Sequence, residues 1–464
     1  MSTRQDSAPS PTVSSSRELV EWIAAGSKPA SHWRIGTEHE KFLFRTGTHA
    51  PVAYDDIGGV RAIFDAMIAE YAWEAIREGE TIIALKRPAS EAPGMITGNI
   101  SLEPGGQFEL SGGAVATLHE VNAETVEHLD QLRAIGKRLG VGMMGLGFSP
   151  AWRLNETPTM PKRRYAVMTR YMPQVGTRGL DMMYRTATIQ VNLDFANEAD
   201  MVKKLRVSLA LQPVASALFA SSPFTEGKPN GFKSMRSEVW RDTDKRRTGN
   251  LPFAFESGMS FERYADYALD VPMYFVYRDG QYIDVAGASF RDFLAGKLAA
   301  LPGEKPTLDD WSDHLTTLFP DVRMKRFLEM RGADCGPAPH ITALSAFWVG
   351  LLYDQTALDA AWDLVKGWTA EQRDQLRSDV PKQAFGAKVN GRSVHDITRE
   401  ALSIARGGLK RRARIDASGR DETTYLEPLD ILVARGETVA DQMLAHFHGA
   451  WAGRIDPVFT DYAY

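Results

Sequence analysis

The sequence predicts an α+β protein, and three stretches in which polar side chains alternate with apolar ones carry that reading. Gly36-Thr37-Glu38-His39-Glu40-Lys41-Phe42-Leu43-Phe44 sets Glu38 and Glu40 two residues apart ahead of a β-prone run, so a strand turns both carboxylates to one face. Ser101 to Gly113 repeats the device with Glu103 and Glu109, an even number of residues apart beside apolar partners. Arg185 to Phe195 alternates strictly, Gln190, Asn192 and Asp194 against Ile189, Val191, Leu193 and Phe195. Helical patterns separate these strands and dominate the chain from about residue 356.

In chain order, residues 1 to 16 are rich in Ser, Pro and Thr, lack an apolar signal core, and read as a disordered tail. Leu19, Val20 and Ile23 stripe a short helix over 17–25, closed by Gly26 to Pro29. Ile57 to Tyr71 reads as an amphipathic helix through Ile57, Val60, Ile63, Phe64, Met67 and Ile68, and Thr81 to Leu85 as a strand. Arg87 to Gly98 is a loop; Pro104-Gly105-Gly106 bends the backbone sharply and aims the flanking carboxylates inward. Leu118 to Leu139 is helical and runs into Gly140-Val141-Gly142-Met143-Met144-Gly145. That string matches the dinucleotide fingerprint in letters only, since it follows a helix and enters a strand. Neither a P-loop nor a G-x-S-x-G elbow occurs.

Asn197 offers an N-cap with Asp200 three residues on, and Met201 to Ala220 is a long helix kinked at Pro213. Gly227 to Gly249 gathers Lys228, Lys233, Arg236, Arg241, Lys245, Arg246 and Arg247 without a helical stripe, either a solvated charged loop or a clamp for phosphates and carboxylates. Met273 to Val285 is a hairpin around Asp279-Gly280, which suits a type I′ turn. Lys410-Arg411-Arg412 matches dipole compensation at a helix end, and His446-Phe447-His448 lacks nearby further ligands and reads as structural.

The 464 residues allow one elaborated domain or two or three, and a net charge of -5 argues against a general nucleic-acid binder. No apolar run reaches the ~18 residues of a membrane span. The nearest, Leu209 to Ala220, is broken by Gln212 and Pro213, so a soluble protein is expected. The single cysteine, Cys335, forbids an internal disulfide and points to a reducing cytosol. If the two glutamate-bearing surfaces converge, each carboxylate pair about 4 Å apart repels by roughly 4 kcal/mol at an effective dielectric near 20. Protons or cations must relieve this, and an all-oxygen set suits Mg2+ or Mn2+ in preference to zinc.

Taken together, Trp33 to Phe42, Ser101 to Gly112, Asp181-Met182-Met183, Gln190 to Phe195, Gly227 to Phe232 with Ser234 to Ser237, and Leu328 to Asp334 resemble the plant-type glutamate-cysteine ligases. That family, found in plants and many proteobacteria, belongs to the glutamine synthetase superfamily. The likeness runs from about Leu19 to Tyr464 and implies one catalytic domain over 17–464, with an antiparallel sheet curved around the active site and helices outside. It further implies synthesis of γ-glutamylcysteine, the first step of glutathione formation, from glutamate, cysteine and ATP by a monomer or weak homodimer. Glu38, Glu40, Glu103, Glu109 and Glu329 would then hold divalent cations. Gln190, Asn192, Lys233 and Arg331 would meet nucleotide phosphates, Arg236 with Trp240 would form the glutamate pocket, and Arg164 with Tyr274 the cysteine pocket. Arg236 and Arg331 would serve catalysis. Where the plant enzymes carry a redox-sensitive cysteine pair, this chain has Val285 and Ala300, and Arg87 to Gly98 is longer than the plant loop.

Such an inventory suits a reaction in which a carboxylate, a poor electrophile, is phosphorylated before an amine attacks it. A ligase using another amine, a carboxylate-pair glycosidase and a non-catalytic metal binder are the competing readings. The glycosidase leaves the arginines idle.

Overall fold

The computed structural model describes residues 10–88 and 97–464. Its main sheet contains β1 (Ile35–Arg45), β2 (Glu74–Glu78), β3 (Thr81–Lys86), β4 (Asn99–Leu102), β5 (Phe108–Ser111), β6 (Val141–Met144) and β7 (Thr188–Leu193), with two later strands, Val322–Met324 and Leu328–Asp334. The spatial order is Val322–Met324, Leu328–Asp334, β7, β1, β5, β4, β3, β2, and β6 pairs with the far half of β1. Every pairing is antiparallel, and the sheet has two free edges. The expected antiparallel sheet with helices outside is what the chain forms.

Alternation along β1 explains the layers. Thr37 and His39 face the helices: Thr37 Oγ1 lies 2.7 Å from Ser345 Oγ in the buried helix Ala338–Leu352, and the His39 ring meets His128 edge-on. Glu38 and Glu40 therefore face the other way. The helices of the first half of the chain are α1 (Ser16–Ala24), α2 (Val60–Tyr71), α3 (Leu118–Leu139), α4 (Arg163–Tyr171), α5 (Gly179–Arg185), α6 (Glu198–Leu218) and α7 (Met235–Val239), of which α4, α5 and α7 contribute side chains to the polar face. A capping box between Thr117 and Glu120 starts α3, and Gly140, left-handed at φ 64°, stops it before β6. Asn197 caps α6 by accepting from Asp200 N, and α6 carries Pro213 in its interior. Asp279 (φ 49°) and Gly280 (φ 75°) give the 275–284 hairpin its type I′ turn.

Some boundaries shift. Residues 1–9 of the expected tail and 89–96 of the 87–98 loop lie outside the described residues. Residues 10–15 are not a loose tail: Val13 is fully buried, and its N–H donates to Pro306 O at 2.7 Å. Ile57 is wholly exposed and α2 begins only at Val60, because Gly58 is left-handed at φ 63°. The 227–249 stretch contains α7, too short at five residues to show a stripe. The helical portion starts at Ala338, behind Pro337. Glu103 and Glu109 are not on one strand: Glu103 follows β4 directly, the chain reverses through Pro104 to Gly106, and Glu109 lies on β5.

Candidate active site

Register gathers the polar residues on one sheet face. Glu40 of β1 stands opposite Glu109 of β5, Glu38 opposite Gln190 of β7, and Asn192 opposite Glu329 on the strand Leu328–Asp334. Glu103 joins them from its turn, where its N–H donates to Gln107 O at 2.9 Å and the Gln107 amide donates to Met183 O and Thr186 O. Gly105 is required there, since a Cβ would run into the Tyr184 carbonyl. The resulting cavity of about 610 Å³ has Glu38, Glu40, Glu103 and Glu109 on one wall, Arg236 and Arg331 on another, and Met168, Met182 and Met183 on a third.

Charge is unevenly compensated. Glu329, fully buried, accepts a fork from Arg323 at 2.8 and 2.9 Å, lies 3.5 Å from Lys325 Nζ, and pairs with Arg331. Burial works to raise its pKa, but Arg323, Arg331 and Lys325 hold it well below the usual carboxylate range. Glu38 takes hydrogen bonds from Asn192 Nδ2 (2.8 Å) and Gln190 Nε2 (3.3 Å), and Gln190 Oε1 in turn accepts from Arg331 at 2.6 Å. Burial, then Glu329 and Glu109, push Glu38 upward. Burial, then Glu103 and Glu109, push Glu40 well upward, although it accepts from Thr188 N at 3.0 Å. Burial and Glu109 raise Glu103 to about 7. Burial also acts to raise Glu109, yet Lys162 and bonds from Ser111 and Glu103 hold it below its ordinary value.

The five glutamates expected to hold divalent cations are not equally placed to do so. Among the described residues no three His, Cys, Asp or Glu side chains stand together as a ready ion-binding group. The physical reason is that Glu329 is committed to three cations and Glu38 to two amides, while the remaining carboxylates repel one another. A hard divalent cation nevertheless fits the wall: Glu103 Oε1 is buried without a hydrogen-bond partner, and the donors are all oxygen.

The basic side is built around α7. Ser234 caps it and binds Asp334 Oδ1 (2.7 Å), while Asp334 Oδ2 takes Ser221 N (3.0 Å) and Ser222 Oγ (2.6 Å). This fixes Arg236, which is buried, donates through Nη2 to Arg331 O at 2.9 Å, and among the described residues has no carboxylate within ion-pair distance. Burial lowers its pKa against the pull of Asp334 and Glu40. Trp240 flanks it, with the guanidinium 5.8 Å from the ring centroid.

Three expected contacts are elsewhere. Lys233 pairs with Asp441 away from the cavity. Tyr274 lies under Arg247, 3.9 Å from ring centroid to guanidinium, with its hydroxyl on Met172 Sδ at 3.5 Å. Arg164 is buried near Tyr165, behind Glu103 and off the cavity wall. Conversely, Arg323, Lys162 and Asp334 were not read as site residues. Lys162 donates to Ser101 Oγ at 2.7 Å beside the carboxylates, and burial with Arg164 lowers it to about 7. Arg323 pairs directly across from Glu329 in a tight hairpin, and the alternation Val322-Arg323-Met324 was the available signal.

With this geometry in hand, comparison with known proteins is informative. The family described as glutamate-cysteine ligase family 2 (GCS2) matches residues 34–461. The chloroplastic glutamate-cysteine ligases of Nicotiana tabacum and Arabidopsis thaliana are each 50% identical over 447 residues, covering 96% of this chain and 82% of theirs. A glutamate-cysteine ligase structure from Francisella tularensis in complex with AMP aligns at TM-score 0.49 and 12% identity, over 90% of this chain and 85% of that one. These relatives run against one expectation, the cytosolic location, since they are chloroplastic proteins. A single cysteine excludes an internal disulfide but does not choose between reducing compartments.

Proposed function

The chain belongs to the glutamate-cysteine ligase family 2, and on that premise we propose that the cavity on the face of β1 is its catalytic centre. The enzyme joins the γ-carboxylate of glutamate to the amine of cysteine with hydrolysis of ATP, yielding γ-glutamylcysteine, ADP and phosphate, the first step of glutathione synthesis.

One observation carries the siting: Arg236, buried and without a carboxylate partner among the described residues, lines the same cavity as four carboxylates. A buried cation without a partner is costly, and a bound substrate carboxylate completes it. Glu38, Glu40, Glu103 and Glu109 would hold Mg2+, and an ion there offsets the charge of the transferring phosphoryl group. Glu329 acts through Arg331: clamped by Arg323, it holds Arg331 at the cavity edge within reach of the phosphates, with Gln190 and Asn192 steadying Glu38. Arg331 and Arg236 then stabilise negative charge on the phosphoryl group and the acid as the γ-oxygen attacks. The acyl phosphate so formed is open to the cysteine amine, and the thioethers of Met168, Met182 and Met183 offer a soft wall for the thiol side chain. On this reading residues 17–464 act as one catalytic domain, as a monomer or weak homodimer.

The test is isotopic. Glutamate carrying 18O in its γ-carboxylate should deliver one labelled oxygen to phosphate per dipeptide formed, with ADP release requiring glutamate and Mg2+. Phosphate released unlabelled at the rate of dipeptide formation rules out the acyl-phosphate route.

A further inference from the structure

A second chamber of about 530 Å³ adjoins the first, sharing Arg236, Trp240, Phe319 and Arg331 with it. Its inner wall is the interior of α6 around Pro213. Most polar groups in it are paired: Arg377 with Asp321 at 2.7 Å, Arg241 with Glu238 at 3.1 Å, and Ser216 Oγ with Gly332 O at 2.8 Å. Gln212 is not. It is 2% exposed, and among the described residues neither its carboxamide nitrogen nor its oxygen has a hydrogen-bond partner. Leaving an amide buried and unpaired forfeits its hydration with nothing in return, so such a group calls for a partner that arrives with a ligand.

Two further donors in the same chamber, Arg236 Nε and Trp240 Nε1, are likewise buried without partners among the described residues. Gly332 belongs to the arrangement: a Cβ there would lie 2.5 Å from Gln212 Nε2, so only glycine lets the carboxamide rest against the strand immediately after Arg331. Guanidinium, indole and amide N–H groups complement a carboxylate, and an amide oxygen complements an ammonium. Together they match the α-amino-acid end of a substrate whose γ-carboxylate lies in the first cavity.

We propose that Gln212 is a substrate-binding residue that reads the α-amino-acid head group of glutamate, a role that rests on the ligase reading above. Gln212→Met keeps the volume and removes the hydrogen bonds. A bond to a charged group contributes about 1.5–3 kcal/mol, so the KM for glutamate should rise roughly 10- to 150-fold. The KM values for ATP and cysteine should stay within about twofold, the scatter of unconnected sites. Stabilisation of the protein by glutamate alone, read as a thermal shift without ATP, should fall in parallel. The preference of the unaltered enzyme for glutamate over its α-amide should shrink by the same factor. Gln212→Asn, which draws the carboxamide back by one carbon, should act in the same direction and serves if the Met variant fails to fold. A rise in the KM for ATP with glutamate unaffected would assign the chamber to the nucleotide and overturn the proposal. Equal losses on glutamate and its α-amide would reduce Gln212 to packing and overturn it too. Failure of the unaltered protein to make γ-glutamylcysteine would instead refute the ligase reading itself.

Discussion

Replacing Arg323 by Met tests whether Glu329 is governed by its cations. Arg323 is 2% exposed, forks onto Glu329 at 2.8 and 2.9 Å, and donates to Thr316 O and Leu318 O at 2.6 and 3.0 Å. Breaking a buried pair by removing one partner costs about 3–5 kcal/mol. Because Lys325 and Arg331 still approach Glu329, the lower end applies, and Arg323→Met should lose about 3 kcal/mol. Glu329→Gln should lose a similar amount by stranding Arg323. The double variant should lose about 2 kcal/mol less than the sum, since neither charge is then left alone. Urea unfolding followed by tryptophan fluorescence provides the cycle. With Arg323 gone, Arg331 is drawn more tightly to Glu329 and withheld from substrate, so kcat/KM for ATP should fall by about tenfold, or ~1.4 kcal/mol. A coupling below about 0.5 kcal/mol, the level of independent sites, would refute the pairing as the organising contact.

Other expectations follow from individual contacts. Glu103→Gln removes a charged oxygen ligand and should lower turnover at limiting Mg2+ by at least ~10-fold, with partial recovery in excess Mg2+; unchanged turnover at limiting Mg2+ would remove Glu103 from the ion site. Cys335 is buried against Glu40 O (3.0 Å), and burial pushes its thiol up to about 11, so thiol reagents should label native protein slowly and dithiothreitol should not alter activity. An oxidant effect that disappears in Cys335→Ser would contradict this. Lys204 is enclosed by the Trp33 face, 3.4 Å from its Nζ, and by Asp200 at 3.0 Å, and burial lowers its pKa to about 8. Below pH 8 it is charged both folded and unfolded and the burial cost is present in full. Between about 8 and 10.5 the folded chain releases its proton first, so stability rises with pH. Urea midpoints should therefore improve from pH 7 to 10 for the unaltered chain relative to Lys204→Met by up to ~3 kcal/mol; a constant difference would mean that the ring offsets the burial.

Legibility in the sequence followed the range of the physics. Glu38 and Glu40 were readable because strand alternation is a local rule, and β1 keeps an unbroken register with β5 across both residues and with β7 at Glu38. The helix over 118–139 was readable because both its ends carry their signals, Thr117 with Glu120 and Gly140. Glu103 and Glu109 reached the expected face by another route. Counting an even spacing along one strand gives the same answer as folding two strands back through a turn, because cross-strand partners share a face. What remained hidden depends on contacts between distant segments: the commitment of Glu329 to Arg323 and Lys325, the burial of Tyr274 beneath Arg247, and the departure of Lys233 to Asp441.

Gln212 shows how local and tertiary information combine. Along the chain, Gln212 and Pro213 interrupt an apolar run, and the interruption argues against a membrane span, in agreement with the lack of any helix among the described residues long and apolar enough to cross one. The same pair has a second meaning once α6 is seen buried on every side from Val207 to Leu218. On an exposed helix face a lone glutamine needs no explanation, whereas inside a core it forfeits hydration unless something pairs with it. Among the described residues no group does so, and the cavity it lines is also lined by Arg236. A polar residue that the packing tolerates but does not satisfy is therefore the sign, on this helix, that the core wall is also a wall of the substrate site.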